Sequence, residues 1–159
     1  MVERFPDKKE VHGSIPCPPT LMADDFQKDL VKEYKFWSVY VHRNQDYLGR
    51  CVVWCKRDNA LDLADSNLDE QKELFLILKE LREAAKRVFN PDWFNYSFLG
   101  NEVRHLHGHF VPRYAKSKTF MGTVFKDKLY GHNWKTNHAF VTPEVILKSV
   151  KNKLFKALG

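Results

Sequence analysis

The feature that most constrains the fold is one long amphipathic stretch from Asn67 to about Phe89. Leu74, Leu78, Leu81, Ala85 and Val88 recur at spacings of three and four, with Ile77 and Ala84 beside them. That spacing gives a helix with a single apolar stripe. Lys72, Lys79, Arg82, Glu83 and Lys86 fill the opposite, solvated face. Asn67 followed by Glu70 supplies a capping box, with Asn in the usual Ser or Thr position. Asn90-Pro91-Asp92 stops the helix. A lone helix cannot bury its stripe against itself, so the flanking segments must supply a surface.

Those segments have the period of strands. Lys35 to His42 and Arg50 to Lys56 are rich in aromatic and β-branched residues, and Asn44-Gln45-Asp46 with Gly49 punctuate a turn between them. They are expected to form a hairpin. Beyond the helix, Phe94 to Leu99 alternates, Gly100-Asn101 turns, and Val103 to Val111 forms the next strand. Asp24 to Glu33 reads as a short helix. A last helix starts at Thr142 with Pro143 in its first position. Helix, hairpin, helix, hairpin, loop and helix make an α+β fold with a mainly antiparallel sheet, one long helix and a C-terminal helix.

The 159 residues suffice for one domain. Residues 1–21, with four of the seven prolines, read as an extended N-terminal arm, leaving 22–159 as a single domain. The net-basic stretch from Lys116 to His138 has no clear period and reads as a long loop of the kind that carries function. A net charge of +6 favours anionic partners. The basic residues form no dense run, so no nucleic acid is expected as a partner. Charges at residues 3–10 replace the apolar stretch of an export signal. No apolar run approaches the roughly 20 residues that cross a bilayer, so no membrane is expected either. Three cysteines, an odd number, oppose a disulfide framework. The expected location is cytoplasmic.

The chemistry concentrates in His105-Leu106-His107-Gly108-His109. On a strand these three histidines share one face, about 6.6 Å apart at 3.3 Å per residue, and Pro112 ends the strand because it cannot donate to a ladder. Three readings compete: incidental histidines, a three-imidazole metal site, and a nucleophilic imidazole whose tautomer a neighbour fixes. Spacing alone does not separate the last two. Around the strand, Asn101 offers an amide hydrogen to a phosphate, Arg113 a guanidinium, and Arg104, Lys116 and Lys118 further charge. No carboxylate in the strand stands as a fourth metal ligand.

The run Asn95-Tyr96-x-x-Leu99-Gly100-Asn101-x-Val103-x-His105-Leu106-His107-x-His109-x-x-Pro112-Arg113-Tyr114 resembles the signature of the histidine triad (HIT) superfamily, closest to bacterial-type members described as dinucleoside polyphosphate hydrolases. The upstream Asn44-Gln45-x-Tyr47-Leu48-Gly49-Arg50-Cys51-Val52-Val53, Lys56-Arg57 and the long helix also fit, so the resemblance covers about Trp37 to Tyr114. It implies a HIT-like fold and an enzyme in which His107 attacks the α-phosphorus of a nucleoside phosphate, forming a covalent nucleotidyl-histidine that water or another acceptor resolves. His105 and His109 would orient His107 and donate to phosphate oxygens. Asn101 would bind phosphate, and Asn44 would bind ribose from a region shared with His42 and Gln45, although Asn is also a common turn former. No metal is required at the nucleophile, and a divalent cation can accompany the substrate phosphates. The resemblance further implies a homodimer acting on a nucleotide or dinucleotide. A nucleoside phosphoramidase and a non-catalytic nucleotide-binding module are the alternatives. Glu102, Gly108 and Asp58 depart from the family pattern, and a carboxylate at 102 would repel a polyphosphate.

Overall fold

The computed structural model describes residues 27–159. The arm expected at 1–21 lies outside these residues, as do the first residues of the helix expected from Asp24. Within the described part of that segment, residues 27–29 are helical. Leu30–Glu33 is instead a strand, β1, which adds to the edge of the expected hairpin.

The hairpin is β2, Trp37–Val41, and β3, Cys51–Cys55. Their antiparallel register sets Trp37 opposite Cys55 and Val41 opposite Cys51. Helix α1, Leu68–Phe89, follows with its capping box formed. The Glu70 amide donates to the Asn67 side-chain oxygen at 2.9 Å, and the Asn67 amide donates to the Glu70 carboxylate at 3.0 Å. At its other end Asn90 takes the left-handed conformation that closes many helices. β4, Trp93–Ser97, and β5, His107–Arg113, complete a five-stranded sheet in the order β1-β2-β3-β5-β4.

Two strand boundaries differ from expectation. β5 begins at His107, so His105 stands just before the strand. Pro112 lies inside the strand and does not end it. β3 pairs with β5 only as far as Phe110, whereas β4 pairs on to Arg113, so the proline stops one ladder and spares the other. The basic stretch is not all loop. β6, Lys118–Phe120, and β7, Thr123–Phe125, make a small hairpin. Its turn residues Met121 and Gly122 both have positive φ, as the tight hairpin turns with right-handed twist require. The last helix, α2, runs from Glu144 to Leu158, a little later than Thr142.

Alternation along β3 divides the sheet into two faces. Cys51, Val53 and Cys55 are fully buried on one face with Val39, Val41 and Trp37, where Leu74, Ile77, Leu81, Ala84 and Ala85 of α1 cover them. Ile146, Leu147, Val150 and Leu154 of α2 close the same core. Each such side chain contributes about 1.5–3 kcal/mol of burial. Both long helices therefore lie on one side. The other face, carrying Val52, Trp54, His107 and His109, is left for function.

Candidate active site

His105 and His107 are held through backbone carbonyls. The Nδ1 atom of His107 lies 2.7 Å from the carbonyl oxygen of His105. A carbonyl can only accept, so Nδ1 carries the proton and Nε2 keeps its lone pair. Nε2 of His105 lies 2.7 Å from the Cys55 carbonyl and donates to it in the same way. The Cys55 end of β3 is tied to α1: the buried Glu70 carboxylate accepts from Arg57 Nε at 2.7 Å and from Cys55 Sγ at 3.9 Å. The helix cap thus also secures the strand end that orients His105.

The rings form a continuous row. Trp54 stacks on His105 at 4.2 Å and on His107 at 5.5 Å between centroids. His107 meets His109 at 5.2 Å, and His109 lies 6.0 Å from His42 and 5.4 Å from Trp134. Gly108 permits this packing from the other face. A Cβ there would lie 2.5 Å from the ring of Phe98, which accounts for the departure of this position from the larger residue expected.

Burial holds His107, His109 and His42 neutral. It lowers His107 below the ordinary imidazole value, drives His109 down to about 3 with the help of the Arg50 charge, and drives His42 down to about 4 for the same two reasons. The folded protein therefore resists protons that the unfolded chain binds below about pH 6.5. Stability rises with pH wherever the unfolded state holds more protons. The contribution is present above about 6.5 and is lost as pH falls toward 4, by about 1.4 kcal/mol per pH unit for each histidine. Urea unfolding is expected to show a loss of about 2–4 kcal/mol between pH 7 and pH 5, and His42→Asn is expected to reduce that slope. An unchanged midpoint would show that the histidines are not held neutral.

A cleft of about 150 Å³ opens beside His105 and His107, lined also by Leu61, Leu63, Phe98 and Gly100. Asn101 and Arg104 sit exposed on the loop that joins this cleft to His105. Among the described residues no group of three or more His, Cys, Asp or Glu side chains is arranged to hold a metal ion. No helix among them is long and apolar enough to cross a membrane.

Two expected substrate-binding residues are used structurally. Arg113 is 2% exposed, and all five of its N–H donors are occupied. Nε and Nη2 grip both oxygens of Asp127, at 2.6 and 3.1 Å, and the remaining three reach the Asn95 side chain and the carbonyls of His132 and Leu129. No donor is left for a phosphate. The Asn44 side chain accepts from the Asp46 amide and donates to the Asn137 carbonyl, so it builds the turn and straps the 134–142 segment across it.

The site also contains residues that the sequence pattern did not assign. Trp54 was legible from the β3 alternation, which puts it opposite the buried Cys51, Val53 and Cys55. Arg50 and Trp134 carried no local signal, because the 134–142 segment meets the hairpin turn only in three dimensions.

Comparison with known proteins agrees with this architecture. The model described as HIT domain matches residues 26–116. The bis(5'-adenosyl)-triphosphatase of Saccharomyces cerevisiae strain YJM789 is 27% identical over 122 residues, covering 70% of this chain and 57% of the yeast protein. The chain thus spans little more than half the length of that curated relative. Among solved structures, a histidine triad protein from Bradyrhizobium japonicum superposes with a TM-score of 0.66 at 17% identity, covering 85% of this chain and 95% of the other. One from Marinobacter aquaeolei VT8 gives 0.65 at 20% identity, covering 86% and 94%. These two likenesses speak to the fold. Since the family model takes in more than half of the chain and ends just past the histidine strand it was expected to contain, the protein belongs to the HIT family.

Proposed function

We propose that this chain is a nucleotide hydrolase or nucleotidyl transferase that works through His107. One observation carries the proposal: the Nδ1–H of His107 is committed to the His105 carbonyl, which leaves Nε2 as a neutral nucleophile at neutral pH. Nε2 attacks the α-phosphorus, an N–P bond forms, and the bond to the leaving oxygen breaks with its electron pair. Water then attacks the same phosphorus and the N–P bond breaks, releasing a nucleoside monophosphate and restoring the imidazole. A transferase would use another acceptor in that second step. His109, with Asn101 exposed on the adjoining loop, supports phosphate binding by oriented donors. A divalent cation would travel with the substrate phosphates.

The dinucleoside polyphosphate class has its support in the yeast relative, whose name states activity on bis(5'-adenosyl) triphosphate. A nucleoside phosphoramidate is the second reading. It is favoured by Glu102, which stands on the loop into the triad and feels the Arg50 charge, and which would repel an anionic leaving group. A homodimer is supported by β4, the last strand in the sheet order, with Trp93 65% exposed on it. Two free, buried cysteines, Cys51 and Cys55, are compatible with a reducing compartment such as the cytoplasm.

The test is incubation with dinucleoside polyphosphates, nucleoside phosphoramidates and nucleotide sugars, followed by product identification. Acid quenching and mass spectrometry would read the mass of one nucleotidyl group on the peptide containing His107. Absence of turnover across the whole panel, with nucleotide still bound, would make the chain a binding module.

A further inference from the structure

Two arginines are buried among the described residues, and they differ in one respect. Arg113 is saturated by five acceptors. Arg50 is equally buried, at 2% exposure, yet its Nε–H has no partner among the described residues. Its ion pair among the described residues is a single contact, Nη1 to Asp46 Oδ1 at 3.2 Å. Asp46 is shared with the backbone: Oδ1 also accepts from the Tyr47 amide and Oδ2 from the Asn137 amide at 2.6 Å. The guanidinium lies instead against the indole of Trp134, at 4.7 Å from its centroid. Nδ1 of His109 is also buried without a partner among the described residues, and the indole that covers Arg50 lies 5.4 Å from the His109 ring.

Leaving a buried donor unpaired is costly, more so for a charged group. A buried arginine with an empty donor, next to a histidine with an empty nitrogen, under one half-buried aromatic side chain, has the makings of an anion site in its unliganded form. We propose that Arg50 is a specificity-determining residue that binds a non-transferred phosphate of the substrate at the His109 end of the triad, and that the Trp134 indole covers it until that phosphate arrives. The proposal rests on the nucleotide reading above. The planar guanidinium suits a phosphate because two N–H groups can meet two oxygens. Only the Trp134 side chain needs to turn. The backbone around it is fixed: the Tyr47 hydroxyl bonds both the amide and the carbonyl of Lys135, and Thr142 Oγ1 accepts from the Gln45 amide at 2.8 Å. Glu102 lies within electrostatic reach of Arg50 and would select against an excess of negative charge there.

Pyrophosphate and adenosine separate the charged and uncharged parts of such a substrate. In the wild-type protein, pyrophosphate is expected to bind and to change tryptophan emission. Trp134→Phe is expected to bind pyrophosphate without that change, which assigns the signal among the four tryptophans. Arg50→Gln is expected to weaken pyrophosphate at least tenfold while adenosine affinity stays within twofold, with Arg50→Lys between. Thermal melts report whether each variant is folded, and if Arg50→Gln is not, the Trp134 signal and Arg50→Lys decide. Wild-type pyrophosphate affinity in Arg50→Gln, or Trp134 emission unchanged at saturation, would reduce the pair to a fixed structural stack. Turnover with unaltered KM in Arg50→Gln overturns this inference and spares the nucleotide reading. Arg50-dependent pyrophosphate binding without any turnover does the reverse.

Discussion

His107→Asn is expected to fold normally and to lose turnover by roughly 10⁴- to 10⁶-fold, the scale on which removal of a nucleophile is felt. Two physical effects separate here. The asparagine amide nitrogen can take the place of imidazole Nδ1 and donate to the His105 carbonyl, so that hydrogen bond of His107 is kept. What asparagine lacks is the second ring nitrogen, the one with the free lone pair. His107→Ala removes both, and costs about 1 kcal/mol more in stability through the lost hydrogen bond. Both variants should still bind nucleotide, because the neighbouring donors are untouched. Equal turnover by His107→Asn would end the covalent mechanism. Loss of fold in His107→Asn, with activity recovered on refolding, would make the residue structural.

The sequence made the scaffold legible where one element carried its own period. The α1 stripe and its capping box depend on residues three and four apart, and both form as written. The hairpin of β2 and β3 was equally local. Where the outcome depended on contacts distant in sequence, local pattern failed in a consistent way. Leu30–Glu33 has enough polar residues to continue a helix, yet the free edge of β2 recruits it as a strand. His105 has the strand period, yet the Cys55 carbonyl, fifty positions away, holds its ring outside the strand. The triad was legible as chemistry because three alternating histidines gather more imidazole on one strand face than packing alone would require. The partners of its His109 end, Arg50 and Trp134, were not, since their significance lies in which rings and charges they meet.

Arg113 is where that distinction has the largest consequence. An arginine at the end of the histidine strand, in a chain of the HIT family read as acting on phosphates, is naturally assigned to phosphate. The structure commits it to Asp127, with side chains 3% and 1% exposed. Removing one partner of such a pair leaves an uncompensated buried charge, at about 3–5 kcal/mol. Arg113→Met and Asp127→Asn are each expected to lower the melting temperature by roughly 10 °C, since 1 kcal/mol shifts a domain of this size by about 2–4 °C. Arg113→Lys should lose nearly as much, because an ammonium cannot bridge both Asp127 oxygens and still reach Asn95 and two carbonyls. The double variant Arg113→Met with Asp127→Leu should be less damaged than the sum of the two single changes, as coupled buried partners are. The segment at risk is 127–132, whose Leu129 and His132 carbonyls Arg113 pins in place. It leads directly into Trp134, so the loss should also loosen the cover over Arg50. Kinetics distinguish the two roles of the residue: a structural Arg113→Lys loses stability first and keeps its KM in the fraction that stays folded. A variant with wild-type melting and a tenfold higher KM would return Arg113 to the substrate.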